Sequence, residues 1–133
     1  MSHTKAQVSM EFMALISLMV LIFVAYTPFF WQQQKEIQDH SEYMMAKRIL
    51  SSVKKEVDTA VMFGDGYTRN FTVPSTISGI DYGITVNEEK KMVTLFWKDK
   101  ITYEFLIAHN ITGNPVPGQK NKIENRDDVI VFS

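Results

Sequence analysis

The chain has no cysteine, and neither sign of charge is in excess: 14 lysine and arginine residues stand against 15 aspartate and glutamate residues among 133. Without cysteine, disulfides, thiolate metal ligands and cysteine nucleophiles are excluded. Without a basic excess or a lysine- and arginine-rich run, the chain lacks the electrostatic footprint of a nucleic-acid-binding protein, and no nucleic-acid partner is expected. Nine phenylalanines, five tyrosines and two tryptophans argue against intrinsic disorder.

Charge is also absent from one long segment, since residues 12–34 contain no lysine, arginine, aspartate or glutamate. A helix of about 20 apolar residues rises roughly 30 Å, the thickness of the hydrocarbon core of a bilayer. Phe29, Phe30 and Trp31 close the apolar run, where aromatic side chains would meet the membrane interface. The segment therefore predicts a membrane-spanning helix. The flanking lysines and arginines, taken alone, would favour a cytoplasmic C-terminal part.

Other interpretations of this segment stay open at this point. A removed secretory signal is disfavoured because the apolar run exceeds the usual length of about 7–15 residues. The small residues Ala25 and Thr27 are also followed by Pro28, a poor residue after a scissile bond. An uncleaved signal anchor that holds an external domain is a further alternative. Pro28 itself predicts a kink or loosened turn over residues 24–28, or else the end of the helix, because it removes a backbone donor.

Glu11 abuts the apolar run without a basic neighbour. It is either an interfacial group that reaches water or a carboxylate whose positive partner arises later. The segment Lys-Ala-Gln-Val-Ser-Met-Glu-Phe at residues 5–12, followed by the apolar run, resembles the class III signal peptide of archaeal type IV pilin-like proteins. That family carries Gln-x-Ser-x-Glu-Phe before its hydrophobic helix and is cleaved before the glutamine. The matching positions are Lys5, Ala6, Gln7, Ser9, Glu11 and Phe12.

The resemblance implies a processing route and an assembly. A membrane prepilin peptidase would remove residues 1–6 on the cytoplasmic side, which would place the leader inside and the C-terminal part outside. The mature chain would leave the membrane to form a helical homopolymer through its N-terminal helix, with the help of a pilus assembly platform and its ATPase. Inside the filament, Glu11 would pair with the new amino group of a neighbouring Gln7. Pro28 corresponds to a position where many bacterial pilins also carry proline.

The function that follows is that of a structural subunit, or prepilin, of an archaeal type IV-like pilus that serves surface adhesion. The precursor would lie in the cell membrane, and the mature protein would lie in an extracellular filament. The alternative is a minor pilin, or a single-copy membrane-anchored surface protein that shares the leader. The leader is not of the kind that archaellins carry, which disfavours a swimming filament.

After residue 34 the helical pattern continues but becomes amphipathic, with apolar residues recurring at steps of three and four. The predicted stripe consists of Tyr43, Ala46, Ile49, Leu50, Val53, Val57, Ala60 and Val61. Gly64-Asp65-Gly66 is typical of a helix end. The sequence thus divides into a removable leader at 1–6, a membrane or filament-core helix at 7–34, an amphipathic helical half at 35–63 and a β domain at 64–133.

The last segment has the period-two alternation of β-strands. Strands are predicted over residues 80–86, 92–97, 101–107 and 129–132, with turns at 87–90 and 98–100 and a polar loop over 113–128. The predicted fold is therefore α+β, in which a long N-terminal helix packs on a small antiparallel sheet of four or five strands, as in type IV pilins. Because a β domain of about 70 residues has a small core, we expect the amphipathic helix to complete it.

Two Asn-x-Thr sequons, at Asn70 and Asn110, are candidate N-glycosylation sites in the predicted external domain. Surface filaments of the resembled family commonly carry such glycans. No catalytic motif such as His-Glu-x-x-His, a P-loop or Gly-x-Ser-x-Gly occurs, so no enzyme activity, cofactor or metal is expected. Asp127-Asp128 could ligate a cation, but the pair is better explained as a turn.

Overall fold

The structure, a computed structural model, describes the backbone of residues 2–133 and the side chains of residues 8–133. It contains one long helix, α1 (Ser2–Phe63), followed by strands. These are β1 (Thr68–Thr72), β2 (Gly83–Asn87), β3 (Met92–Trp97), β4 (Lys100–Phe105), β5 (Asn110–Thr112), β6 (Lys120–Arg126) and β7 (Val129–Phe132). The predicted α+β class is confirmed. The chain forms two compact units, Met1–His40 and Ser41–Ser133; the second is called the head unit below.

The head unit is built on the amphipathic half of α1, whose apolar stripe is confirmed apart from its first residue. The six central residues of the stripe are buried: Ala46, Ile49, Leu50, Val53, Val57 and Ala60. Tyr43, which the pattern assigned to the stripe, is 43% exposed. The helix stops where predicted, since Gly64 has a φ of +79° and its amide donates to the Ala60 carbonyl at 3.2 Å.

The strands form two sheets rather than the single sheet of four or five strands that the alternation predicts. The smaller sheet is fully antiparallel, in the order β2-β3-β4. The larger has the order β1-β6-β7-β5 and is mixed, because β5 pairs with β7 in parallel. The turns predicted at residues 87–90 and 98–100 do join β2 to β3 and β3 to β4.

The polar loop predicted over residues 113–128 is wrong, because β6 lies within it. The strand was hidden by its polar inward positions, Asn121 and Asn125, which alternate with the buried Ile123. Both amides are tied to backbone: Asn121 Oδ1 accepts from the Val116 amide at 2.7 Å, and Asn125 Nδ2 donates to the Ala60 carbonyl at 2.9 Å. Buried amides with backbone partners replace the apolar side chains that a strand pattern normally shows.

The core of the head unit lies between α1 and the two sheets. Trp97, Leu95 and Val93 of β3 are buried together with Ile123 of β6 and Ile130 of β7, in one cluster with the helical stripe. The expectation that the helix completes the core of the β domain is therefore confirmed. A long N-terminal helix whose second half packs on a small β domain is a type IV pilin-like architecture.

Candidate assembly helix and processing motif

The first part of α1 carries large apolar side chains that are exposed. Phe23 is 77% exposed, Met10 75% and Trp31 71%. The described helix from Val8 to Phe63 contains an 18-residue window with a mean hydropathy of 2.4, and none of that window is buried. By length and composition this helix is able to cross a membrane. A signal sequence near an N-terminus meets the same criteria. Such a surface is unstable in water, because each exposed apolar residue forfeits the free energy of burial.

Two hydroxyl groups in this segment are satisfied by the helix itself. The hydroxyl of Ser17 donates to the Met13 carbonyl at 2.8 Å, and the hydroxyl of Thr27 donates to the Phe23 carbonyl at 2.8 Å. Both are bonds from residue i to residue i−4, which keep hydroxyls off an apolar surface. In a hydrocarbon environment every polar group needs such an internal partner.

Pro28 lies inside α1, which continues through it to Phe63. The interpretation that Pro28 merely ends the membrane helix is therefore wrong. As proline has no amide hydrogen, the carbonyl of Val24 lacks its usual helical donor.

The predicted processing motif begins before residue 8, the first residue whose side chain the structure describes. Ser9, Glu11 and Phe12 all lie on α1 with exposed side chains. Among the side chains of residues 8–133, none forms a salt bridge with Glu11. Lys5, Ala6 and Gln7 lie outside the residues whose side chains are described, so their predicted roles in cleavage, and that of Gln7 in pairing, stay predictions.

One charged residue that the sequence reasoning missed is buried at the start of the head unit. Glu42 is fully buried, and its carboxylate accepts from Lys98 Nζ at 3.0 and 3.2 Å and from Trp97 Nε1 at 3.3 Å. A signal was present, because Glu42 lies four residues before Ala46 and eight before Leu50 and so falls on the apolar stripe. The carboxylate thereby joins the helix to the end of β3.

Both sequon asparagines are exposed and lie on the two edge strands of the same sheet, Asn70 on β1 and Asn110 on β5. The outer face between them is polar, and Glu124 accepts from Arg126 Nε at 2.8 Å and from Lys122 Nζ at 3.0 Å. Hydrogen bonds from Arg126 first and Lys122 second lower the pKa of Glu124 to about 2. Both asparagines are thus accessible to a modifying enzyme, while their glycosylation stays a prediction.

The predicted turn at Asp127-Asp128 is confirmed. The two residues connect β6 to β7 with φ angles of 50° and 64°, the positive values that a two-residue hairpin turn requires. The Asp127 amide donates to Asp65 Oδ1 at 2.8 Å. Within the described part of the chain, no group of three or more histidine, aspartate or glutamate side chains could hold a metal ion.

No protein-family model matches this chain, and neither a curated protein nor a solved structure matches it. The likeness to pilin-like proteins therefore rests on the motif at residues 5–12 and on the architecture of the helix and the head unit.

Proposed function

We propose that this protein is the precursor of a structural subunit of an archaeal type IV-like pilus, cleaved before Gln7 and polymerised through its N-terminal helix. The observation that carries the proposal is the uncovered apolar surface of residues 8–31, which belongs to the same helix that completes the core of the head unit. An apolar helix fixed to a folded domain needs lipid before assembly and other copies of itself afterwards.

The chemistry of assembly follows from Glu11. In the membrane its carboxylate lies at the edge of the apolar run, where it reaches water. In a filament core an isolated charge is costly, and pairing with the amino group that cleavage creates at Gln7 of a neighbour neutralises both groups. A subunit in the wrong register would bury two unpaired charges, so the pair specifies register.

We further propose partners and a location for this protein. A prepilin peptidase acts on Lys5, Ala6, Gln7, Ser9, Glu11 and Phe12, and an assembly platform with its ATPase moves the subunit from the membrane into the filament. The precursor lies in the cell membrane with its leader in the cytoplasm. The mature head unit lies outside the cell, where Asn70 and Asn110 meet the glycosylation machinery and the filament serves adhesion.

Intact-mass measurement of the native protein, followed by electron microscopy of sheared surface filaments, tests the proposal. We expect a chain that begins at Gln7, or at its cyclised form, retains residues 12–31 and is abundant in the filaments. Retention of Met1 would indicate an uncleaved anchor, and a start after Thr27 would indicate a removed signal; either result would overturn the proposal. A correctly cleaved chain that is scarce in filaments would point instead to a minor pilin or a single-copy surface protein.

A further inference from the structure

The outer faces of the two sheets differ sharply in chemistry. The four-stranded sheet presents charged side chains outward from β6, including Lys122, Glu124 and Arg126, and both sequons lie on its edges. The three-stranded sheet presents an uncharged surface, which we call the apolar face. Its β3 and β4 residues are Met92, Thr94, Phe96, Ile101, Tyr103 and Phe105.

Register and burial place these residues on one side of the sheet. Phe96 is directly opposite Ile101, Thr94 opposite Tyr103 and Met92 opposite Phe105. Their neighbours along the strands, such as Val93, Leu95 and Thr102, are buried on the core side. The β2 residues on the outer side are a glycine, a threonine and an asparagine, so no residue of the apolar face is charged.

The four largest side chains of the apolar face are widely exposed: Phe96 at 47%, Ile101 at 70%, Tyr103 at 51% and Phe105 at 63%. Side chains of this size have about 150–250 Å² of surface each, so the exposed parts of these four residues amount to roughly 350–580 Å². An apolar patch of that size is comparable to the largest patch on a typical monomer, and such patches are often functional.

We infer that the apolar face docks against the same face of a second copy of this chain. In a two-fold contact the same patch lies on both sides, so a patch dominated by one sign of charge would repel itself, whereas an uncharged patch does not. Two such faces would together bury about 1,000 Å², the smallest area expected of a specific protein interface. The turns at both ends of the strands carry lysine together with aspartate or glutamate, at residues 88–91 and 98–99, and so supply a polar rim of mixed sign.

Face-to-face contact is favoured over pairing at the free edge of β4. That edge is occupied at Phe105, whose carbonyl accepts a hydrogen bond from Lys54 Nζ at 2.9 Å. Next to it, Lys47 Nζ lies 3.0 Å from Glu104 Oε1. Both lysines belong to α1, and an edge strand that a helix covers in this way is less open to the addition of another strand. Docking through the apolar face involves the head unit alone and does not depend on cleavage at Gln7 or on polymerisation.

Cross-linking of the full chain in its native membrane tests the inference, because a protein without cysteine accepts a single new thiol without interference. Thr94 lies at the centre of the apolar face, and Val131 is a matched control on a central strand of the other sheet, with similar partial burial. A bifunctional maleimide that spans about 10 Å, the spacing of packed sheets, would join Thr94→Cys between copies. We expect at least tenfold more product of twice the monomer mass from Thr94→Cys than from Val131→Cys.

A second substitution checks that the face itself makes the contact. Adding Tyr103→Lys to Thr94→Cys should reduce the dimer product at least tenfold. Adding Thr68→Lys, an exposed position on β1 of the other sheet that belongs to no sequon, should not. The melting temperature should be unchanged in both. Equal yields from Thr94→Cys and Val131→Cys would overturn the inference, as would a Thr94→Cys product whose mass identifies a different protein. We expect the dimer product even if the mass of the native protein shows that Met1 is retained. Absence of the dimer product from assembled filaments would not contradict the proposed function.

Discussion

Glu42 and Lys98 form an ion pair of unequal burial. The carboxylate side chain of Glu42 is 1% exposed, whereas the side chain of Lys98 is 47% exposed, and the closest N–O distance is 3.0 Å. The lysine can therefore be hydrated without its partner, but the carboxylate cannot. Because desolvation falls mainly on one member, the two possible deletions of this pair are not equivalent.

Lys98→Met should destabilise the head unit more than Glu42→Gln does. Removing the lysine leaves a buried, uncompensated carboxylate, for which the loss is about 3–5 kcal/mol. Glu42→Gln leaves an exposed ammonium in water and a neutral amide that still accepts from Trp97, for a loss of about 1–2 kcal/mol. Urea denaturation followed by circular dichroism measures both. A larger loss of stability from Glu42→Gln than from Lys98→Met would show that Lys98, and not Glu42, depends on the ion pair.

The contribution of Tyr82 to the stability of the head unit should be lost at alkaline pH. Its hydroxyl donates to the Pro74 carbonyl, and burial raises the pKa of the phenol from 10 to about 12. A pKa raised on folding means that the contribution is complete below pH 10 and is lost as the pH rises through about 12. The stability difference between the wild type and Tyr82→Phe should therefore narrow between these two values. Urea denaturation at several pH values measures this difference, and a constant difference from pH 10 to 12 would contradict the role of the Tyr82 hydroxyl.

Gly113 should tolerate alanine less well than Gly64. Both glycines have positive φ angles, of +87° and +79°, and alanine in that region costs about 1–2 kcal/mol. A Cβ at Gly64 meets open space, whereas a Cβ at Gly113 would lie 2.5 Å from the carbonyl oxygen of Phe132. Thermal melts should show a larger loss for Gly113→Ala, because β7 has to move as well. Equal losses would mean that the contact relaxes without cost.

A fragment that begins at Lys35 should fold alone. It retains every buried core residue, from Glu42 to Phe132, and lacks the apolar segment. We expect a soluble protein with cooperative thermal unfolding. A matched fragment that begins at Lys54 should fail to fold, because it removes four buried residues of the helical stripe: Ala46, Ile49, Leu50 and Val53. Aggregation of the longer fragment would mean that the head unit needs residues before 35.

Glu11→Gln should separate membrane insertion from assembly. Insertion should persist, because the substitution removes a charge next to lipid. Cleavage should be affected less than assembly. Filaments should be lost or greatly reduced, since a buried amino group without its carboxylate costs about 3–5 kcal/mol, roughly a hundredfold or more in association. Cells that express the variant as their sole copy are examined by mass and by electron microscopy. Glu36→Gln, an exposed glutamate further along α1, is the control and should assemble normally.

A processed Glu11→Gln subunit with wild-type filament numbers would contradict the pairing. Glu11 would then be an interfacial group that reaches water, and the pilin assignment would rest on the remaining motif residues.

Local patterns in the sequence determined the long helix, its apolar and amphipathic halves, its end at Gly64 and the hairpin turns. Helical periodicity, hydropathy and turn chemistry act between residues close in the chain, so each is visible before folding. The predicted strands over residues 92–97 and 129–132 were found for the same reason.

The tertiary structure alone decided the features that depend on distant partners. Glu42 is tolerated in the core only because Trp97, at the end of β3, and Lys98, in the turn that follows, reach it. β6 is a strand because Asn121 and Asn125 find backbone partners, and the parallel pair of β5 with β7 joins segments with no local turn between them. The position of Asn70 and Asn110 on opposite edges of one sheet likewise follows from strand order. Such contacts depend on long-range packing, which no short stretch of sequence encodes.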